Sequence, residues 1–195
     1  MSSRRSSPAA LLALALLAPP SGGSLPAAAA DTPRFERPGI LTSIGQSSDI
    51  AVVKVLLNTH LQLGLDVRPL AQPPELDGKR TLVVVVGASS KGLGAVGLDV
   101  SREADRARAL LAAARRQKVG IVALHVGGPS RRGRTTDDLI RCVVPMADYV
   151  VVVSAGNRDR VFQAAAEGRT PIVEVESLSA VADAVQAVFG GPRRP

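Results

Sequence analysis

Short apolar runs alternate with amphipathic stretches from residue 39 almost to the end of the chain. Two of these runs, residues 81–86 and 121–126, carry apolar side chains at nearly every position. Continuous apolar strands of this kind are typical of a parallel sheet that helices cover on both faces. In the stretches between the runs, apolar residues recur at spacings of three and four, which is the pattern of a helix that buries one face.

The pattern therefore predicts strands that alternate with helices. The predicted strands are residues 39–44, 65–70, 81–86, 121–126, 148–153 and 172–175. Polar residues that favour helix starts, Ser101, Thr136 and Asn157, precede or open three of the predicted helices. This alternation predicts a three-layer, Rossmann-like α/β domain with a mostly parallel sheet of five or six strands.

The first thirty residues have the pattern of an export signal. Arg4 and Arg5 precede an apolar run at residues 9–18, and small residues at 28–30 offer a cleavage site. The run has about ten residues, whereas a bilayer span needs about twenty. We expect a Sec-type signal peptide at residues 1–30, no stable membrane insertion after its cleavage near Ala30, and a periplasmic or secreted product. An uncleaved N-terminal anchor is the alternative.

The rest of the chain is predicted to hold one folded unit. Residues 31–38 form a lead-in rich in proline, residues 39–190 a single α/β domain, and residues 191–195 a C-terminal tail. About 150 residues suffice for one domain with its own hydrophobic core.

The amino-acid composition limits the classes of ligand and partner that the chain is expected to bind. The formal net charge is +7, and without Arg4 and Arg5 the 22 remaining basic residues face 17 acidic ones, which leaves +5. With no Trp, one Tyr and three Phe, the chain has almost no material for stacking on bases, so we expect no nucleic-acid binding. Cys142 is the single cysteine, and no cluster of Cys, His and carboxylates has metal-ligand spacing. Neither a metal nor a cofactor is predicted.

A glycine-rich loop with one lysine follows the valine-rich strand that ends at residue 86. Residues 87–94 depart from a dinucleotide-binding loop, because one extra residue separates the first two glycines and the loop runs on to about Val100 before a helix begins. The segment also differs from a phosphate-binding P-loop, since no lysine and hydroxyl residue follow the last glycines. We therefore interpret it as a flexible loop whose exposed amides bind a ligand, and the alternative is a solvated glycine-rich turn. The candidate ligand-binding residues here are Ser89, Ser90, Lys91 and Gly92.

A second glycine-rich loop, residues 127–134, carries several arginines. Gly127 and Gly128 favour a sharp turn with exposed amides. Arg131 and Arg132 present planar guanidinium groups that suit a carboxylate or a phosphate. Most charge runs are solvated surface, but this one follows a buried strand, where open parallel sheets bind their ligands. We therefore predict an anion site.

Polar residues at neighbouring strand ends are predicted to join this site. Ser43, Gln46 and Ser47 follow the first strand, and Asn157 follows the fifth, where a role in starting a helix is its alternative. His125 lies at the end of the fourth strand, and a histidine with satisfied structural hydrogen bonds is the alternative to a ligand-binding one.

Five short segments of the sequence form a recognisable set: residues 41–47 (LTSIGQS), 91–95 (KGLGA), 125–128 (HVGG), 131–133 (RRG) and Asp137. In these segments the sequence resembles an uncharacterised family of secreted bacterial α/β (Rossmann-like) domains of unknown function. The resemblance implies export and an α/β fold, and it implies no activity.

Together these observations predict an exported module that binds a small anionic ligand at the carboxyl edge of the sheet. Two alternatives stay open, a hydrolase-type enzyme that uses His125 with Ser89 or Ser90, and a protein-interaction domain that uses the arginine loop. No Gly-x-Ser-x-Gly motif places a nucleophile, so no catalytic residue is assigned.

Overall fold

The computed structural model describes residues 33–189, so the predicted signal peptide and C-terminal tail lie outside the described residues. Six parallel strands form one sheet in the order β2-β1-β3-β4-β5-β6. They are β1 (Gly39–Ile44), β2 (Asp66–Val67), β3 (Thr81–Val86), β4 (Gly120–His125), β5 (Tyr149–Val153) and β6 (Ile172–Val175). The predicted three-layer α/β fold is confirmed, and the sheet is parallel throughout.

Helices cover both faces of this sheet. They are α1 (Asp49–Lys54, continued by a π-helical segment Val55–His60), α2 (Ser90–Ala95), α3 (Val100–Arg116), α4 (Arg134–Val143), α5 (Val161–Ala166) and α6 (Leu178–Val188). Helices α3, α4 and α5 pack on one face, and α1 and α6 pack on the other. Among residues 33–189, no helix has the length and apolarity that crossing a membrane requires.

The valine run of β3 is buried because the strand has a core on each side. Val84 and Val86 belong to the core under α3, α4 and α5, whereas Val83 and Val85 belong to the core under α1 and α6. Successive side chains of a strand point to opposite faces, so a strand covered on both faces needs an apolar residue at every position.

The strand order places a crevice between β1 and β3. The chain leaves β1 to form β2 on one side and then returns to form β3 on the other side. The loops after β1 and β3 therefore diverge, and such a switch point is where doubly wound sheets bind ligands. Just beyond the ends of β1 and β3, Gln46 and Ala88 form an isolated antiparallel bridge.

Two predicted elements after β3 differ from the structure. The loop expected to run on to Val100 instead contains α2, because the hydroxyl of Ser89 accepts a hydrogen bond from the amide of Gly92 (3.1 Å) and caps a short helix. The next helix, α3, is capped by Asp99 and not by Ser101, since Asp99 Oδ1 accepts from the amide of Arg102 (2.8 Å).

Later helix starts also differ. Helix α4 begins at Arg134, and Thr136 lies inside it, where its hydroxyl accepts a hydrogen bond from the amide of Ala88 (3.0 Å). Helix α5 starts only at Val161, but the Oδ1 atom of Asn157 still accepts a hydrogen bond from the amide of Phe162 (3.3 Å) in the first turn of that helix. Thr136 thus serves a contact beyond its own helix, whereas Asn157 contacts the start of its helix from a distance along the chain.

The edge strand β2 has two residues where six were expected, and the first helix widens into a π-helix. Asn58 connects the two features: its side chain donates to the carbonyl of Leu65 and accepts from the amide of the same residue, each at 2.8 Å. This pairing holds the end of the helix against the start of β2. Cys142 is half-buried on α4, where burial raises the pKa of its thiol.

Candidate functional site

A cleft of about 600 Å³ opens where the loops after β1, β3 and β4 meet. Its volume lies in the range of small-molecule sites. Its lining residues are Gln46, Ser47, Ser48, Ile50, Ser89, Lys91, Gly92, Ala95, Val96 and Arg131. Six of the predicted candidates, from three loops, are among these lining residues, namely Gln46, Ser47, Ser89, Lys91, Gly92 and Arg131. We call this place the switch-point cleft.

Arg131 is held at the wall of the switch-point cleft by two contacts. Its Nε donates to Asp49 Oδ1 (3.3 Å), and its Nη2 donates to the hydroxyl of Ser48 (2.9 Å). The side chain is 34% exposed, and Nη1 makes no hydrogen bond to any described residue. The guanidinium is therefore fixed on one side and keeps donors on the other.

Gly127 makes room for this arrangement. A Cβ at Gly127 would lie 2.9 Å from Asp49 Oδ2 and closer still to Cγ of Arg131. A Cβ at the neighbouring Gly128 would meet no atom within 4 Å. Gly127 thus acts by lacking a side chain, whereas the carbonyl of Gly128 accepts from the amide of Arg131 (2.9 Å) and closes the turn.

Lys91 supplies the second cation of the cleft. It is exposed in the first turn of α2 and makes no ion pair with a described acid. The expectation of an exposed amide at Gly92 is wrong, because that amide donates to Ser89. Gly92 instead allows close packing, since a Cβ there would collide with the carbonyl oxygen of Gln46.

A buried ion pair, which sequence reasoning missed, shapes the loop after β1. Glu103 is fully buried, and its Oε1 accepts from the amide of Gly45 (2.7 Å) and from Nε2 of Gln46 (3.1 Å). Arg106 contacts both carboxylate oxygens of Glu103 at 2.8 Å and also donates to the carbonyl of Ser43 (2.6 Å). The side-chain amide of Gln46 therefore points towards Glu103, and its Nε2 atom is used in a hydrogen bond within the fold.

The charge state of Glu103 follows from these contacts. Burial alone would raise the pKa of its carboxyl group, but the hydrogen bonds from Arg106, Gly45 and Gln46 outweigh burial and hold the pKa below its ordinary value. The sequence did contain a signal, since Glu103 lies four residues before Ala107 on the apolar stripe of its helix. A charge at such a position needs a buried partner.

Arg132 points away from the switch-point cleft. Its Nε donates to Asp137 (2.8 Å), its Nη1 donates to the carbonyl of Gly156 (2.6 Å), and both Nη atoms donate to Asp159 (3.0 and 2.9 Å). The hydrogen bonds that Arg132 donates to Asp159 are the main reason why the pKa of this guanidinium rises. The side chain is 12% exposed and lines a separate cleft of about 320 Å³. Arg131 thus lines the switch-point cleft, whereas the adjacent Arg132 lines the second cleft.

His125 is fully buried at the end of β4. Its Nδ1 donates to the carbonyl of Val86 (2.8 Å), whereas Nε2 has no hydrogen-bond partner among the described residues. Nε2 lies against Gly156, where an added Cβ would come within 2.8 Å of it. Burial is the main cause that lowers the pKa of the imidazole, which favours its neutral form. Neither ring nitrogen is bonded to Ser89 or Ser90.

The remaining candidate serines differ in exposure. Ser43 is fully buried, and its hydroxyl has no partner among the described residues. The hydroxyl of Ser47 accepts from the amide of Asp49 (3.1 Å) at the start of α1. Ser90 is exposed at the start of α2 but is not part of the cleft lining.

Asn157 is buried and fully engaged in structural hydrogen bonds. Its Nδ2 donates to Gln163 (2.8 Å) and Glu174 (2.9 Å), and its Oδ1 accepts from the amide of Phe162 (3.3 Å). It joins the β5 loop to α5 and β6, outside the switch-point cleft. Within residues 33–189, no three His, Cys, Asp or Glu side chains are grouped as metal ligands would be.

The sequence profile of a family described as "Domain of unknown function (DUF6305)" matches residues 36–189. The match covers most of the chain and agrees with the expected resemblance to a domain of unknown function. No curated protein matches the sequence significantly.

Proposed function

We propose that this chain, which belongs to the DUF6305 family of domains of unknown function, binds a small anionic ligand in the switch-point cleft. The observation that carries the proposal is that Arg131 and Lys91 line one cleft at the switch point of the sheet. Arg131 is fixed there by Asp49 and Ser48 and keeps unbonded donors. A carboxylate or a phosphate is the partner that such donors suit.

Each group has a distinct task in this proposal. Arg131 donates from Nη1 to an oxygen of the anion, and the ammonium group of Lys91 adds a second charge. Hydrogen bonds to charged groups contribute about 1.5–3 kcal/mol each, so two cations suffice for a weak but specific site. Arg132 is left out, because its donors already face Asp137, Gly156 and Asp159.

The test is a titration of the full chain with acetate and with phosphate, followed by calorimetry or by amide chemical shifts in NMR. We expect Arg131→Gln and Lys91→Gln each to weaken binding by about tenfold or more. Arg134→Gln is the matched control, because Arg134 is exposed and does not line the cleft. Absence of binding by the wild type, or equal losses in all three variants, would refute the proposal.

No observation favours the hydrolase alternative over anion binding. That reading needs His125 as a base beside a serine, and the imidazole is buried with its Nδ1 bonded to Val86. The alternative of a protein-interaction surface depends on the arginines of the loop. Arg132 is less available for a partner, because it already forms ion pairs with Asp137 and Asp159 of the same chain.

We also propose that the chain is exported. The support is the signal pattern of residues 1–30, which lie outside the described residues. N-terminal sequencing of the protein from its native host tests this: a chain that begins at Asp31 supports cleavage after Ala30, and a chain that retains residues 1–30 contradicts it.

A further inference from the structure

The switch-point cleft has apolar lining as well as cations. Ile50, Ala95 and Val96 contribute to its wall. Val96 is 40% exposed and belongs to neither hydrophobic core of the described residues, so part of its apolar surface faces solvent at the cleft. A ligand with an apolar part would cover this surface and remove it from water.

The formal charge of the cleft is small. Of the lining residues, Lys91 and Arg131 bring two positive charges. Asp49 does not line the cleft, but it contacts Arg131 at 3.3 Å and brings one negative charge, so the sum is +1. The other lining residues are uncharged. A carboxylate carries one negative charge and balances this sum, whereas a phosphate monoester carries about −1.5 to −2 at pH 7 and exceeds it.

We propose that the ligand class is a monocarboxylate with a short aliphatic or aromatic body. The carboxylate binds Arg131 and Lys91, and the body lies on Ala95 and Val96. This inference rests on the proposed anion site and narrows it, because it excludes phosphate as the preferred ligand.

The chain-length dependence of binding tests the inference. The full chain is titrated with acetate, butanoate and hexanoate, and separately with inorganic phosphate. Each fully buried methylene tightens binding by about fourfold. Since the cleft is open to solvent, we expect the dissociation constant to fall by about tenfold or more from acetate to hexanoate, and phosphate to bind more weakly than hexanoate.

A variant of the apolar wall shows whether the gain arises in this cleft. We expect Val96→Ser to flatten the chain-length dependence, so that hexanoate binds little more tightly than acetate. Val55→Ser is the matched control, because Val55 is 50% exposed on the π-helical segment and does not line the cleft. A gain that persists in Val96→Ser would overturn the inference.

The outcomes separate this inference from the proposed function. Binding of phosphate more tightly than hexanoate, with loss in Arg131→Gln, overturns the monocarboxylate assignment and leaves the anion site standing. Binding of none of the four probes overturns both.

Discussion

A single missing side chain at Gly127 determines where Arg131 lies. The space that a Cβ would fill is occupied by Arg131 and by Asp49 Oδ2. The adjacent Gly128 has open space around it and serves the turn through its backbone. Two neighbouring glycines that look equivalent in sequence therefore have different physical roles.

This difference can be measured by substitution with alanine. We expect Gly127→Ala to displace Arg131 and to abolish the proposed anion binding, with a loss of about 1–3 kcal/mol in the free energy of unfolding because the site is overpacked. Gly128→Ala should keep the binding and lose less than about 1 kcal/mol. Titration and urea denaturation of the two variants side by side check the prediction, and equal behaviour of the two would contradict it.

At the scale of elements, the ion pair of Glu103 and Arg106 connects α3 to the loop after β1. Through it, one helix position fixes Gly45 and Gln46 at the edge of the switch-point cleft. The contact bridges elements that are far apart in the chain, so it orders the loop through tertiary structure.

We expect Glu103→Gln to lower the free energy of unfolding at pH 7 by about 3 kcal/mol, because it leaves the charge of Arg106 buried without its partner. The pKa of Glu103 is held below its ordinary value in the folded state. Its contribution is therefore complete above the ordinary value of 4.5 and is lost as the pH falls through the lower, folded value. Urea denaturation at pH 7 and in acid should show the gap between wild type and variant closing in acid.

An exposed pair on the same helix provides the control. Asp105 and Arg108 have the same spacing and are both largely exposed. Asp105→Asn should change the stability by less than about 0.5 kcal/mol. A loss as large as that of Glu103→Gln would mean that burial is not the cause.

Strands β3, β4 and β5 could be predicted from sequence because each is a dense apolar run with the burial pattern of a parallel sheet. The length of the edge strand β2 was overestimated, since Asp66 and Val67 are only half-buried and no run of apolar residues marks where the strand ends. The capping role of Ser89 was missed, because α2 contains two glycines and has no apolar stripe. The roles of Arg131 and Arg132 could not be separated either. Adjacent residues look alike in a charge run, and only the fold places Asp49 beside one and Asp159 beside the other.

At the scale of the whole molecule, His125 makes stability depend on pH near neutrality. Its imidazole is buried under Gly156 with the pKa lowered from the ordinary value of 6.5. The unfolded chain therefore takes up a proton before the folded one does, and stability falls as the pH drops below 6.5 towards the lower, folded value.

The slope of stability against pH is limited to about 1.4 kcal/mol per unit for one proton. We expect His125→Asn, which retains a donor for the carbonyl of Val86, to remove most of this slope between pH 7.5 and 5.5. The exposed His60, changed to Asn in the same way, is the control and should leave the slope unchanged. Thermal or urea unfolding across this range measures the effect, and an unchanged slope in His125→Asn would contradict the assignment.

The strand order also has a consequence for the rate at which the folded protein unfolds when a ligand is bound. β1 and β3 are neighbours in the sheet, but β2 lies between them in the chain. The lining of the cleft also includes Arg131, which follows β4, so the cleft is complete only after β1, β3 and β4 have paired. A compound that recognises the assembled cleft therefore has nothing to bind while the chain is still pairing its strands. Such a compound slows unfolding and leaves the rate of refolding as it was. The lifetime of the protein against heat or proteases would then lengthen with ligand concentration.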